Sequence, residues 1–152
     1  MIPFLVIGAA LLGQTSKPLP PVDSVRIERT PCFGRCPIYR ATLYRNGTVR
    51  YFGERFVDKL GAYKGRLSED AFPRISMLVD RLGFNSLKAR YEENITDLPS
   101  CTVTVIRGRQ VKSVYTYGVL PDEMWAIQMA IDRVIEDSRD TWTFIPPDPM
   151  SQ

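Results

Sequence analysis

A chain of 152 residues, 44% hydrophobic and 24% charged, holds one core of ordinary size and is too short for two comfortable domains. The formal charge of +3 comes without a block of consecutive Lys or Arg, so charge alone does not point to nucleic acid. The chain contains no histidine, which excludes Ser-His and Cys-His nucleophile pairs, a histidine general base and His-ligated zinc or iron; any catalysis would rest on carboxylates, lysine, tyrosine or thiols.

Residues 1–16 carry an apolar run, Ile2 to Leu12, followed by the small polar residues Gly13, Thr15 and Ser16. The run has the length of a signal-peptide hydrophobic region and falls short of the ~20 residues that span a bilayer. Export to a periplasmic or secreted location is expected, and an integral membrane span is not. A basic n-region is missing, since the first positive side chain is Lys17; if the segment is not a signal, the protein is cytoplasmic. Residues 17–22 form a linker whose prolines (Pro18, Pro20, Pro21) prevent a helix. Residues 23–145 then read as a single globular domain, and residues 146–152 as a Pro-rich tail.

Val25 and Ile27 alternate with Arg26 and Glu28, which predicts a first strand. A hairpin follows in IYRATLYRNGTVRYFGE, centred on Asn46-Gly47. A two-residue loop would scatter the apolar side chains over both faces. A three-residue loop, Arg45-Asn46-Gly47 with Gly47 left-handed, pairs Leu43 with Val49 and Tyr44 with Thr48 instead. Tyr39, Ala41, Leu43, Val49 and Tyr51 then share a dry face, while Arg40, Thr42, Tyr44, Arg50 and Phe52 share a wet one. Further strands are expected around Arg55–Asp58 and Ala62–Leu67, with a turn at Leu60-Gly61. Ser68 is the expected cap of a helix carrying Phe72, Ile75, Leu78, Val79 and Leu82 at helical spacing and ending at Gly83.

Residues 84–100 read as irregular. Thr102–Ile106 and Val111–Tyr117 predict a second hairpin about Gly108, and Pro121 opens a second helix with Met124, Ile127, Ile131 and Val134 on one stripe. Trp142 and Phe144 are expected to dock an extended C-terminal segment. The order β-β-β-β-α-β-β-α, linked by hairpins, predicts an α+β fold: an antiparallel sheet of five to six strands with two helices on one face.

Three stretches carry a resemblance: Cys32-Phe33-Gly34-Arg35-Cys36-Pro37-Ile38-Tyr39, the hairpin Tyr44-Arg45-Asn46-Gly47-Thr48-Val49-Arg50-Tyr51, and Thr96-Asp97-Leu98-Pro99. Together they resemble a bacterial family, domain of unknown function 6438, whose members carry a PCFGxCPxY segment, a Y-x-[DN]-G-x-V-x-Y hairpin and a later TDxP. The resemblance spans residues 25–134. It implies an exported domain and brings no assigned activity or cofactor.

Cys32 and Cys36 admit three readings. Gly34 between them gives the backbone freedom to bring the two Cβ atoms together, and an oxidising compartment closes such a pair into a disulfide. A redox pair would draw on Arg29, Arg35 and Arg40 to stabilise a thiolate, but the pair does not open a helix after a strand. A metal site would use the CxxxCP spacing for Cu(I), with Cys101 as third sulfur, or for zinc with Asp97 as a fourth ligand. Glu92, Glu93 and Asp97 lie close in sequence, but Asp97 before Leu98-Pro99 reads as a turn former rather than an acid catalyst. Arginine mixed with aromatics on the wet face (Arg40, Tyr44, Arg50, Phe52) has the composition of a protein interface. The sequence thus predicts an exported, non-enzymatic binding or accessory module with a structural Cys32–Cys36 bridge and no cofactor. A thiol-redox or Cu(I)-handling protein is the alternative.

Overall fold

A computed structural model of the protein describes residues 18–147, so the expectation of a signal segment falls outside the described residues. The elements are β1 (Ser24–Arg29), β2 (Ile38–Tyr44), β3 (Thr48–Arg55), β4 (Gly61–Arg66), α1 (Ala71–Arg81), β5 (Arg90–Glu92), β6 (Ser100–Arg107), β7 (Gln110–Tyr117), α2 (Asp122–Asp137) and β8 (Thr143–Ile145). All strands share one sheet in the order β5-β7-β6-β1-β2-β3-β4-β8. The α+β class with two helices holds. The expected five to six antiparallel strands do not: the sheet has eight, and it is mixed, because β5 runs parallel to β7. The two unforeseen strands, β5 and β8, are three residues each, too short for alternation to register. The expected strand at Arg55–Asp58 is instead the end of β3 followed by a turn in which Phe56 adopts a left-handed φ of 56°.

The hairpin register is the one that the hydrophobic pattern selects. Leu43 faces Val49, Thr42 faces Arg50 and Arg40 faces Phe52. Gly47, at φ 77°, closes the loop with its N–H on the Tyr44 carbonyl, and the Asn46 side chain accepts from the Thr48 N–H. Any residue with a Cβ would be strained there.

The dry face runs across the sheet as Val103, Ile27, Ala41 and Tyr51 in one row and Val105, Val25, Leu43 and Val49 in the next. Both helices close over it. Phe72, Ile75 and Val79 of α1, with Met124, Ile127, Ile131 and Val134 of α2, belong to the same buried cluster as these strand residues. Removing each such side chain from water contributes ~1.5–3 kcal/mol, an upper estimate because denatured chains are already partly collapsed.

Ser68 does not cap α1. Its hydroxyl donates to the Asp70 carboxylate, and the helix starts one residue later at Ala71. Gly83, left-handed at φ 63°, stops it as expected. Trp142 packs on the core against Tyr51, ring centroids 4.5 Å apart, and Gly65 is what admits it: a Cβ on Gly65 would fall against the indole ring. Phe144 is half-exposed and meets Tyr63 edge-on, so of the two expected anchors only Trp142 reaches the core.

Candidate functional site

Cys32 and Cys36 stand at disulfide-bonding distance, S–S 1.97 Å and Cα–Cα 5.8 Å, in the loop between β1 and β2. The clip is tied down. The Phe33 N–H donates to the Asp97 carbonyl at 3.1 Å, and Thr30 pairs with Ser100 by both backbone and hydroxyl. The CFGRC loop and the TDLP loop therefore meet in space, 60 residues apart in sequence, with Asp97 held at a left-handed φ of 71°. Phe33 points outward, 88% exposed. The Arg35 guanidinium lies 5.7 Å from the Phe56 ring.

Cys101 is elsewhere. It is buried on the dry face of β6, opposite Arg29, and burial pushes its thiol up to about 12, so it stays protonated and unreactive near neutrality. The structure does not bring Cys101 together with Cys32 and Cys36. Among the described residues no group of three His, Cys, Asp or Glu side chains is placed to hold a metal. Glu92, Glu93 and Asp97, close in sequence, form no such group either. Glu92 pairs with Arg90 on β5 at 2.6 Å, and that hydrogen bond lowers its carboxyl below the ordinary range.

A polar network unforeseen from the sequence sits beneath α2. Arg29 Nη2 donates to Asp132 Oδ2 at 2.6 Å and Arg29 Nε donates to the Tyr39 hydroxyl at 3.1 Å, while that hydroxyl donates to Asp132 Oδ1. Burial, reinforced by the neighbouring carboxylate, raises the Tyr39 phenol far above its ordinary value. Arg29 stays charged: burial opposes the cation, but Cys101, Asp132 and Tyr39 outweigh it. Strand parity carried the signal. Arg29 continues the dry series Val25, Ile27, and a cation at a dry position requires an acid from the covering helix. A cavity of about 200 Å³ adjoins this network, walled by Leu98, Pro99, Cys101, Thr116, Leu120 and Gln128.

The wet face is the other candidate. Neither helix touches it. Across the strands one row reads Thr104, Arg26, Thr42, Arg50, Lys64, and none of these side chains is buried. The adjoining row carries Arg40 directly opposite Phe52, the guanidinium 4.1 Å from the ring centre, and Arg90 opposite Tyr115 at 4.2 Å. Each is a cation–π contact that holds a guanidinium flat and pre-oriented. Tyr44 lies beside Thr48 on the same face. Two shallow depressions, about 160 and 250 Å³, share Arg50 as a common wall; Arg40 and Phe52 line the first, Tyr44 and Lys64 the second. All four residues expected on an interaction face thus lie on one surface, joined by Lys64 and Arg26, which the sequence did not single out. Register with β4 is what adds Lys64.

No helix among the described residues is long and apolar enough to cross a membrane. No curated protein matches the chain. A family model described as Domain of unknown function (DUF6438) matches residues 23–135, and the chain belongs to that family.

Proposed function

We propose that the protein is an exported, non-catalytic binding module that engages a partner protein through the open face of its sheet, with Arg40, Tyr44, Arg50 and Phe52 in the contact. One observation carries the reading: two helices cover one face of an eight-stranded sheet, and among the described residues the other face is left bare with arginines stacked on aromatics. Such side chains bury large area at little entropic cost, which is why they recur as interface anchors. The Cys32–Cys36 pair acts as a structural clip in this reading. Bonded sulfurs suit an oxidising compartment, as does the apolar run of residues 1–16, and that pairing supports export over the redox and Cu(I) alternatives.

A photocrosslinking side chain placed at Thr42, on the open face, and separately at Trp125, on the outer surface of α2, tests the reading in the native producing cells. Adducts with one protein from Thr42 and none from Trp125 are expected. Adducts from Trp125 alone would overturn it.

A further inference from the structure

We infer that the partner on the open face is an acidic polypeptide segment, recognised through its carboxylates by Arg50, Lys64 and Arg40. This rests on the open face being the interface. Arg50 and Lys64 are direct cross-strand partners on β3 and β4, and like charges set directly opposite destabilise a sheet. Neither has a salt bridge among the described residues, whereas Arg26 and Arg90 on the same face are neutralised by Glu28 and Glu92. An unrelieved repulsive pair on an exposed face is a cost that an incoming anion removes. The two depressions beside Arg50 give that anion two neighbouring seats, with the hydroxyl of Thr42 in one and those of Tyr44 and Thr48 in the other.

The surrounding chemistry selects carboxylates. The Arg40 guanidinium, held flat over Phe52, presents a fork that matches a carboxylate in bidentate fashion. A uniformly charged polymer such as nucleic acid or a sulfated polysaccharide demands a continuous cationic stripe. Here Glu28 sits directly opposite Arg40 across β1 and β2, so such a polymer meets repulsion in that row. A polypeptide with spaced acids and apolar residues accommodates both the cations and the half-buried Phe52 ring.

The test is fluorescence anisotropy with a labelled peptide in which glutamates are spaced by alanine and leucine, with heparin and duplex DNA as rival probes, on the wild-type chain and two variants. Lys64→Glu inverts one charge and places an acid opposite Arg50. Arg133→Glu inverts a charge on α2, which is 83% exposed and far from the face in the fold. Binding of the spaced-glutamate peptide that weakens with salt is expected, with a loss of about tenfold or more in Lys64→Glu. The same variant should melt about 1–3 °C higher, because the repulsive pair becomes an attractive one. Arg133→Glu should bind as the wild type does. Absence of binding by the spaced-glutamate peptide, an equal loss in Arg133→Glu, or tighter binding of heparin or DNA with the same dependence on Lys64 would each overturn the inference. A Thr42 adduct persisting alongside any of these outcomes removes only the acidic chemistry; loss of the adduct removes the open-face reading with it.

Discussion

Replacing Asp132 with alanine removes the carboxylate through which α2 holds β1 and β2. Two donors lose their acceptor, the Arg29 Nη2 at 2.6 Å and the Tyr39 hydroxyl, both beneath the helix. Breaking a fully buried ion pair costs about 3–5 kcal/mol, while an exposed one is worth 1 kcal/mol or less. Arg29 and Asp132 are 20% and 29% exposed, so water partly replaces the lost partner, and a loss of ~2 kcal/mol follows. For a domain of this size that lowers Tm by about 6–10 °C. Urea titration followed by Trp fluorescence gives the number: the midpoint should fall with the m-value unchanged. Tyr39→Phe alone should cost ~1 kcal/mol. In the double variant the two losses should not add, because each already removes the hydroxyl–carboxylate bond. A loss below ~0.5 kcal/mol for Asp132→Ala, or strict additivity with Tyr39→Phe, would refute the view that this triad fixes α2 to the sheet.

Two other outcomes follow from the sulfurs. In the chain-entropy model a bridge closing a five-residue loop, separation 4, contributes ~2 kcal/mol at most, so Cys32→Ser/Cys36→Ser should fold, lose up to that amount and speed hydrogen exchange at the Phe33 amide; a protein unable to fold would contradict the local role. Cys101 predicts alkaline weakening. Its folded pKa of about 12 lies above the ordinary 9.0, so its contribution is fully present below pH 9, where both states hold the proton. The contribution is lost between those two values, because the unfolded chain releases the proton first and stability falls as pH rises. Roughly 2 kcal/mol should vanish by about pH 10.5. Cys101→Ala should flatten that slope in urea midpoints measured across the range, and an unchanged slope would show that the thiol does not carry it.

Hydrophobic alternation made the central hairpin legible down to its register, because a slip of one residue would have turned Leu43 and Val49 out to solvent. The stripes of both helices were legible for the same reason. Most of what escaped was set by partners distant in sequence. Tyr91 in β5 and Phe144 in β8 sit in segments of three residues, where no period can form, and they become strands only because β7 and β4 offer open edges. Ser68 looked like a cap because its residue type and position suited one; Asp70 captured its hydroxyl first. By residue type and spacing Arg29 suits a thiolate partner for the clip. Its guanidinium instead turns under α2, 103 residues away in sequence, to Asp132.

The open face shows most clearly why a site can be half visible in a sequence. Arg40, Tyr44, Arg50 and Phe52 belong to one hairpin, so parity alone groups them. Lys64 belongs to another strand, and only the β3–β4 register decides whether it lies opposite Arg50 or Thr48. That register is fixed by the dry face, where Tyr51 must meet Tyr63 and Gly65 must leave room for Trp142. The core therefore dictates the juxtaposition of two like charges on the opposite surface. Lysine at position 64 brings no packing gain, since its side chain is exposed, and an acid there would relieve Arg50. In the proposed reading such a residue, which the fold does not require and which costs stability where it stands, serves the acidic partner rather than the packing.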